Sequence, residues 1–423
     1  MVSYIELGKI TMRPMRKLIK HLTYSNEFHT WIREQHFELV ISEGFMVLDS
    51  IFHICGIEKY VITVSTLPFE YIMDFIGVPN TPSFVPVNNK GFSVPMTYFK
   101  RAQNLFELIF VKLILRYSLF PEFEQILTDK FGNSWTTQKQ ADILSYIFVN
   151  SDEMIDFPRV ITSKFKYIGG LRMPKPKRLC QEWDSVFASA KRGIILMSFG
   201  TMARSTEMGI QRRDAFVRAF KAFPDITFIW RYENSSDYFT DASNIILYNW
   251  LPQVDMLNDE RTLAFITHGG MGGVFESARA GVPVITIPLF ADQLRNARMM
   301  EYRGIDKDDV TENRLITAIE EILKPRYVQA AKRLSEQLRN KPFSPEEVLI
   351  RYVDYAIRYN ISETLTNIAP HQSFIEYYML DIIVPFLVVS LLVAILTLRL
   401  VYSIISMILK LFPRVNTIKT KQQ

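Results

Sequence analysis

The sequence predicts an α/β fold with parallel sheets, arranged as two domains and followed by one apolar C-terminal helix. Short apolar, β-branched runs alternate with stretches of helical periodicity along most of the chain. A glycine-rich turn at residues 268–273 stands between one of these runs and the next helical stretch. Residues 382–398 are uncharged and mostly apolar, which favours a helix in a lipid environment.

Composition excludes several classes of protein. The chain has 423 residues, enough for two ordinary domains and an appendage, and its 48% hydrophobic content excludes a disordered chain. The net charge is only +5 and basic residues are spread along the chain, so we expect no nucleic-acid partner. Cys55 and Cys180 are far apart and give neither a metal-binding spacing nor a disulfide framework, so we expect no bound metal.

The first half of the chain alternates strand and helix patterns. Residues 37–42 and 60–65 are rich in apolar and β-branched residues, and a helical pattern between them ends at Gly56. This β-α-β order predicts a parallel sheet. The pattern then predicts a loop at 78–95, a long helix at 99–117, a strand and turn at 146–159 and a last strand at 167–171. The aromatic residues of the long helix are more typical of a core than of a binding surface.

A connector follows this first half. Pro174 and Pro176 stand among basic residues, which is typical of an exposed linker. We therefore predict a first domain at 1–172, a linker at 173–180, a second domain at 181–378, a membrane-spanning segment at 381–405 and a basic tail at 406–423.

The second half also alternates strands and helices. Strands are predicted at 194–200, 227–232, 244–248, 263–267 and 282–287. Helices are predicted at 212–223, 274–280, 294–303, 311–323 and 345–359. Gly281 is placed to end the second of these helices, since glycine favours the left-handed backbone that follows a helix.

The stretch from Trp250 to Gln293 organises this half of the chain. Its pattern predicts a strand, a glycine-rich turn, a helix, a second strand and a loop. The glycines that permit a tight turn and close approach of a ligand are Gly269, Gly270, Gly272 and Gly273. The N–H groups of the helix that follows form an anion-binding site at the carboxyl end of the strand. His268 adds a hydrogen-bond donor, and Glu276, one turn further in, could hold a ribose diol.

The glycine turn alone is not specific, because it matches neither G-x-G-x-x-G nor the P-loop pattern. Together with its flanks WLPQ, THGG and ADQ, however, it resembles the signature of UDP-glycosyltransferases, among them the animal, nematode-like UDP-glucuronosyltransferases. The resemblance is dense in the second domain and thin in the first, where it begins near Phe37. It implies the GT-B fold, with two Rossmann-like domains facing a cleft, the first of them incomplete, and a C-terminal transmembrane helix.

The resemblance also assigns roles to matching residues. In the family, the residue at Trp250 stacks on uracil, with Gln253 alongside, and the residue at His268 contacts the diphosphate. The residue at Glu276 contacts the ribose, and the D-Q pair that ends the signature contacts the sugar. The S-F-G-T run resembles a family loop that faces the phosphates. The implied UDP-sugar-binding residues are Ser198, Gly200, Thr201, Trp250, Gln253, His268, Gly270, Gly272, Gly273, Glu276, Asp292 and Gln293.

The sequence departs from the family pattern in three places. Relatives commonly carry Asn at the position of Gly272, so a backbone N–H is expected to replace one side-chain contact. Relatives also have a short apolar segment after the position of Gly304, and here a few residues of it are missing. The family's catalytic base is a His in the first βα loop after a secretory signal. Residues 1–24 match neither feature, so we expect the family pattern to be truncated at its N-terminal end.

Glu43 follows the first strand and matches the carboxylate that orients the catalytic His in relatives. The alternative interpretation is an ordinary helix cap or a solvated carboxylate.

The C-terminal part predicts a single-pass membrane protein. The apolar segment is followed by basic residues and no acid, so the tail is expected in the cytosol and the globular part in the lumen. Lys419 and Lys421 resemble the K-x-K-x-x signal that returns membrane proteins to the endoplasmic reticulum. An ordinary basic juxtamembrane tail is the alternative.

Two functions stay open at this point. In the first, the chain is a membrane-bound enzyme that transfers glucuronate or glucose from UDP-glucuronate or UDP-glucose to small lipophilic hydroxyl acceptors, with inversion and without a cofactor. In the second, it is a non-catalytic truncated isoform or paralogue that binds UDP-sugar, or pairs with active relatives in a homo- or hetero-oligomer. The unmatched catalytic His favours the second function, and the nearly complete donor signature favours the first.

Overall fold

The computed structural model describes residues 14, 16–44, 48–67, 70–88, 91–114, 120–132, 136–234, 241–289, 292–302 and 310–411. The chain forms two compact units, Met1–Asn367 and Ile368–Gln423. The first unit contains both of the parallel sheets found in the described residues, one with four strands and one with five. The α/β prediction is therefore confirmed, and the second unit contains the apolar C-terminal helix.

The first sheet has the strand order β1-β2-β3-β4, and every pair is parallel. Its strands are β1 (Val40–Glu43), β2 (Tyr60–Val64), β3 (Leu144–Val149) and β4 (Phe165–Tyr167). All of β3 is buried, as expected of a central strand covered on both faces. The strand predicted at 37–42 is present, but it starts only at Val40 and lies at the sheet edge, where Ile41 is exposed.

Residues 16–24 are helical, and six further helices of the described residues accompany this sheet. They are α1 (Asn26–Glu34), α2 (Leu48–Ile54), α3 (Glu70–Phe75), α4 (Tyr98–Ile114), α5 (Phe120–Phe131) and α6 (Thr137–Ile143). Side chains cap several of them; for example, Ser25 accepts a hydrogen bond from the Phe28 N–H at the start of α1, and Thr136 accepts one from the Lys139 N–H at the start of α6. The long helix α4 was predicted, but its aromatic side chains are exposed instead of forming a core.

The second sheet has the order β7-β6-β5-β8-β9, again all parallel. Its strands are β5 (Gly193–Ser198), β6 (Ile226–Arg231), β7 (Ile245–Tyr248), β8 (Thr262–Thr267) and β9 (Val284–Thr286). The chain winds outward in one direction from β5 and in the other from β8, so the strand order reverses between these two strands. In open parallel sheets a crevice at the carboxyl ends of such strands is the usual ligand site. Ser198 and Thr267, the last residues of the two strands, are direct neighbours there.

Seven helices of the described residues belong to this half. They are α7 (Gln181–Ser189), α8 (Ile210–Lys221), α9 (Gln253–Leu257), α10 (Met271–Ala280), α11 (Gln293–Tyr302), α12 (Glu312–Ile322) and α13 (Pro325–Arg339). Gly281 ends α10 in the left-handed conformation, with φ of 77°, as predicted. Thr311 caps α12 by accepting a hydrogen bond from the Arg314 N–H. The predicted shortening after Gly304 lies outside the described residues.

Two helices that follow in the chain, α14 (Pro345–Arg358) and α15 (Ile361–Leu365), return to the first sheet. The ring of Tyr352 on α14 packs edge-on against Tyr146 of β3, with centroids 4.9 Å apart. The ammonium group of Lys166 lies 4.2 Å from the centre of the same Tyr352 ring. Thr366, just after α15, accepts a hydrogen bond from Lys164 Nζ at 3.0 Å. The last helices of the first unit are therefore part of the packing of the first sheet.

Lys164 is a buried cation, and we expect it to make stability depend on pH. It is 2% exposed, and burial lowers its pKa from 10.5 to about 8. Between those two values the unfolded chain binds more protons than the folded chain, so the free energy of unfolding rises with pH. We expect the wild type to gain roughly 1–3 kcal/mol relative to Lys164→Met between pH 7.5 and 10, measured by urea denaturation in detergent. Parallel pH profiles for the two proteins would contradict this.

The second unit contains α16 (Phe374–Tyr377) and α17 (Leu380–Leu411). Residues Leu380–Leu409 form one helix that is long and apolar enough to cross a membrane, by length and composition. Pro385 lies inside this helix, on its second turn, where it removes one backbone hydrogen bond. The basic tail, with Lys419 and Lys421, lies outside the described residues.

Candidate functional site

A cleft of about 740 Å³ opens at the carboxyl ends of β5 and β8. Residues near the carboxyl ends of two strands of the first sheet, Ser65, Thr66 and Asn150, also line it, so the cleft lies between the two sheets. Every donor-side residue predicted from the sequence lines this cleft: Ser198, Gly200, Thr201, Trp250, Gln253, His268, Gly270, Gly272, Gly273, Glu276, Asp292 and Gln293. The structure thus brings together residues that are up to 95 positions apart in the sequence (293 − 198 = 95).

His268 is held between two glycines. A Cβ added at Gly200 would lie 2.8 Å from the imidazole Cε1, and one added at Gly270 would overlap its Nε2. Gly200 also has a φ of 72°, which L-residues rarely adopt. Burial lowers the pKa of His268, although nearby Asp292 opposes the shift. The ring is therefore neutral at pH 7 and keeps one N–H donor and one acceptor nitrogen.

The N-terminus of α10 is open to the cleft. Gly270 stands at the N-cap and contributes no side chain, so the first N–H groups of the helix have no side-chain cap. Gly272 has open space where a Cβ would be, whereas a Cβ at Gly273 would lie 3.2 Å from Thr267 Oγ1. These free N–H groups and the positive end of the helix dipole favour a bound anion such as a phosphate.

Glu276 and Gln253 form a hydrogen-bonded pair at one side of the cleft. The Gln253 amide donates to the Glu276 carboxylate. Burial raises the pKa of Glu276, and the hydrogen bond from Gln253 opposes this shift. The carboxylate keeps an acceptor oxygen for neighbouring hydroxyl groups, as a ribose would require.

Asn296 positions the carboxylate of Asp292 at the start of α11. The side-chain amide of Asn296 donates to Asp292 Oδ2 at 2.7 Å and to the Gly269 carbonyl at 3.0 Å. It thereby fixes the carboxylate relative to the glycine turn. Gln293, by contrast, is 3% exposed, and its Oε1 accepts from the Leu289 N–H at 2.8 Å, so that oxygen supports the loop. Sequence reasoning missed Asn296, although its position one turn after Asp292 was a usable signal.

Several cationic residues of the cleft were also missed. Arg231 ends β6, its guanidinium lies 5.1 Å from the centre of the Trp250 ring, and it donates to the Gly200 carbonyl. Its place at the carboxyl end of a parallel strand was the signal that could have found it. Lys175 and Lys177 of the linker line the same cleft, which makes this side of it electropositive.

Glu43 does not line the cleft but contacts a residue that does. Its Oε1 accepts hydrogen bonds from the Ser65 N–H at 3.1 Å and from Ser65 Oγ at 2.6 Å. The side chain of Asn150 donates to the Ser65 carbonyl at 3.0 Å. Glu43 therefore fixes the loop after β2, and its assignment as the carboxylate that orients a catalytic base stays a prediction.

A buried ion pair connects the two halves beside the cleft. Arg295, on α11, donates from NH2 to Asp156 Oδ1 at 2.6 Å, and both side chains are 1% exposed. The other oxygen of Asp156 lies 2.9 Å from Arg159 Nε. The ring of Phe157 lies 5.1 Å from the Arg295 guanidinium. Asp156 follows β3, so this pair fixes the start of α11 against the first half of the chain.

We expect Gly270→Ala to weaken UDP binding strongly while leaving the fold intact. The new Cβ would displace the His268 ring, and the ring would then leave its place beside the helix N-terminus. The loss of one hydrogen bond to a charged phosphate corresponds to roughly 1.5–3 kcal/mol, or about 10- to 150-fold in affinity measured by calorimetry. Gly272→Ala, two residues further on, is the matched variant, because its Cβ meets open space. Equal UDP affinities for the two variants would contradict the inference that Gly270 keeps the His268 ring in place.

Comparison with known proteins agrees with this geometry. Residues 1–415 match the family model described as UDP-glucoronosyl and UDP-glucosyl transferase. The chain is 29% identical over 377 residues to ugt-50 of Caenorhabditis elegans, covering 85% of this chain and 72% of the relative. It is 28% identical to UDP-glucosyltransferase 2 of Dactylopius coccus, covering 83% and 69%, and 29% identical to UDP-glucuronosyltransferase 1A1 of Mus musculus, covering 86% and 68%.

Solved structures show the same fold at low sequence identity. A glycotransferase of kitacinnamycin superposes with a TM-score of 0.56 at 18% identity, covering 84% of this chain and 83% of that chain. UDP-glucose: anthocyanidin 3-O-glucosyltransferase, solved in complex with UDP, gives a TM-score of 0.53 at 14% identity, covering 76% and 75%. These neighbours are GT-B glycosyltransferases, which confirms the predicted fold class. The chain belongs to the family of UDP-glucuronosyl and UDP-glucosyl transferases.

Proposed function

We propose that this protein transfers glucuronate or glucose from a UDP-sugar to small lipophilic hydroxyl compounds, with inversion at the anomeric carbon. One observation carries the proposal. A single cleft combines an uncapped helix N-terminus beside a neutral His268 with an exposed aromatic ring, Trp250, and a half-buried carboxylate, Glu276. These groups suit, in turn, a diphosphate, a uracil base and a ribose diol.

The donor half of the reaction follows from these contacts. As the bond between the sugar and the diphosphate breaks, negative charge grows on the diphosphate. We propose that the N–H groups of α10 and the imidazole of His268, which line the cleft together, stabilise this charge. Asp292, held by Asn296, would orient the sugar through its hydroxyl groups. The reaction proposed here needs no metal or other cofactor.

The acceptor half needs a general base that removes the hydroxyl proton. Among the histidines of the described residues, only His268 lines the cleft, and its place beside the helix N-terminus suits the leaving group. Glu43 and Ser65 hold the side of the cleft that belongs to the first sheet. We propose that the acceptor binds on this side, opposite the donor, because inversion requires attack from the face away from the leaving group.

We further propose that the protein works at a membrane. The span Leu380–Leu409 would anchor it, the basic residues that follow would stay in the cytosol, and the globular part would lie in the lumen. We place this membrane, as part of the proposal, in the endoplasmic reticulum. Glucuronidation or glucosylation of foreign lipophilic compounds would fit this setting, as would assembly with itself or with relatives.

The decisive experiment measures binding and transfer on the same membranes. Vesicles that contain the full chain are incubated with labelled UDP-glucuronate or UDP-glucose and a panel of phenols, and UDP binding is measured in parallel. We expect both signals for the wild type. His268→Ala should lower transfer by about 100-fold or more, in the range seen when one charge-stabilising donor is removed. The matched control is His21→Ala, which changes an exposed histidine on a helix outside the cleft.

The two readouts separate the parts of the proposal. Binding of UDP without any transfer would contradict the enzymatic function and leave a UDP-sugar-binding protein. No binding at all would contradict the donor site itself. Transfer that survives in His268→Ala would show that the diphosphate is stabilised elsewhere.

A further inference from the structure

Helix α4 presents an apolar face to solvent. Phe99, Phe106, Phe110 and Leu113 are between 41% and 82% exposed. Their spacing of i, i+7, i+11 and i+14 places them in one stripe along a helix. The rings of Phe106 and Phe110 stack, with centroids 6.3 Å apart and planes 13° apart. We call these four residues the α4 outer face.

The opposite side of the helix fixes this orientation. Asn104 is fully buried and bonds three backbone groups: it donates to the carbonyls of Pro82 and Val85 and accepts from the Val87 N–H, each at 2.9 Å. Leu108, one turn later, is buried, and Lys112, one turn further, pairs with Asp74 at 2.8 Å. The helix therefore cannot rotate to bury its outer face without breaking these contacts.

The composition of the helix indicates which partner would cover this face. Its start carries two exposed basic residues, Lys100 and Arg101, and Glu107 is the only acid in Tyr98–Ile114. Phenylalanine and leucine on one side with lysine and arginine elsewhere are typical of helices that lie in a membrane interface. An uncharged partner would gain no electrostatic attraction from Lys100 and Arg101, whereas anionic lipid headgroups attract both residues.

The chain itself brings this surface to a bilayer. Only residues 368–379 join the first unit to α17, a stretch that reaches at most about 40 Å when extended. Once α17 crosses a membrane, the first unit has a high effective concentration at the lipid surface. The contact between the α4 outer face and the lipid is then an intramolecular event, because α17 already holds the chain at the membrane. Weak insertion of four apolar side chains therefore suffices for this contact.

We propose that the α4 outer face inserts into the interfacial layer of a bilayer that contains anionic lipid. The inference rests on the membrane attachment proposed above, and it is independent of the UDP-sugar chemistry. It gives the protein a second membrane contact, which holds the first sheet of the chain against the lipid. Lipophilic compounds dissolved in that layer would then lie next to the half of the cleft assigned to the acceptor.

The test uses the full chain with a fluorescent label on one cysteine. Cys180 is exposed and is replaced by serine, whereas Cys55 is buried and stays. An environment-sensitive NBD label is placed at Phe106→Cys, and the matched control is Ile210→Cys, because the two parent residues are 67% and 66% exposed. The proteins are reconstituted in vesicles of phosphatidylcholine with phosphatidylserine and first floated on a gradient. Quenching is then measured with aqueous iodide and with nitroxide-labelled lipid.

We expect the label at position 106 to be quenched by nitroxide lipid and to be about fivefold less accessible to iodide than the label at position 210. Adding Phe99→Glu and Phe110→Glu should abolish the lipid quenching while leaving UDP affinity unchanged. Equal iodide quenching at the two positions, in protein that floats with the vesicles, would overturn the proposal. So would protection that depends on protein concentration and ignores nitroxide lipid, since a second copy of the chain would then cover the face. Protein that fails to float would refute the membrane attachment itself, and this inference with it.

Discussion

Replacing Asp156 by alanine is expected to lower the free energy of unfolding by about 3–5 kcal/mol. The change removes the partner of Arg295 and of Arg159, and it leaves guanidinium groups in a site from which water is excluded. A buried charge that loses its counter-ion keeps the whole cost of its desolvation. The measurement is urea denaturation of the full chain in detergent, followed by tryptophan fluorescence.

A matched variant removes an ion pair of the same type from the surface. Asp225 pairs with Arg192 at 3.6 Å, and both side chains are about half exposed. Asp225→Ala should therefore cost less than about 1 kcal/mol. The interpretation fails if the two variants lose equal stability. It also fails if the urea concentration at the midpoint of unfolding is the same for Asp156→Ala and the wild type.

The second large effect is expected from Trp250→Ala, which should weaken UDP binding by about 5- to 150-fold. Stacking of one base on an aromatic side chain contributes roughly 1–3 kcal/mol to the binding free energy. This energy corresponds to the change of about 5- to 150-fold in affinity. Trp250 is 68% exposed, and the Arg231 guanidinium supports its ring. The exposed part of the ring is thus held in place before the base arrives. Calorimetric titration of UDP into the purified full chain measures the effect.

Two further variants test the cause of that loss. Trp250→Phe keeps an aromatic face and should recover most of the affinity. Trp31→Ala removes an exposed tryptophan from α1, outside the cleft, and should leave UDP affinity unchanged. If Trp250→Ala binds UDP as tightly as Trp31→Ala does, the base does not stack at this position.

The second half of the chain was predicted well because local signals there agree with the tertiary structure. Its strands are continuous apolar runs, which is what a sheet covered on both faces requires. Gly281 ends α10 where the pattern predicted, and the residues around the glycine turn were identified through the family resemblance of one contiguous stretch. That these residues line one cleft was therefore predictable from the sequence.

The features that were missed depend on contacts between distant segments. Arg231 and Asn296 look like ordinary polar residues in a strand and a helix, and only the folded chain brings them to Trp250 and Asp292. The exposed face of α4 was mistaken for core because periodicity reports an apolar stripe but not its orientation. In that helix, the buried side is set by Asn104, whose three hydrogen bonds to a loop no local pattern reveals.

The packing of α14 and α15 on the first sheet has a consequence for biosynthesis. Tyr146 and Lys164 find their partners Tyr352 and Thr366 about 200 residues later in the chain (352 − 146 = 206; 366 − 164 = 202). During translation, the first sheet must therefore wait with one surface uncovered until almost the whole globular part has been made, roughly ten seconds or more at ordinary elongation rates. We expect nascent chains that end before residue 345 to be held by chaperones, and release to begin only as the apolar helix α17 leaves the ribosome. Completion of the fold and insertion of α17 into the membrane would then be nearly simultaneous events.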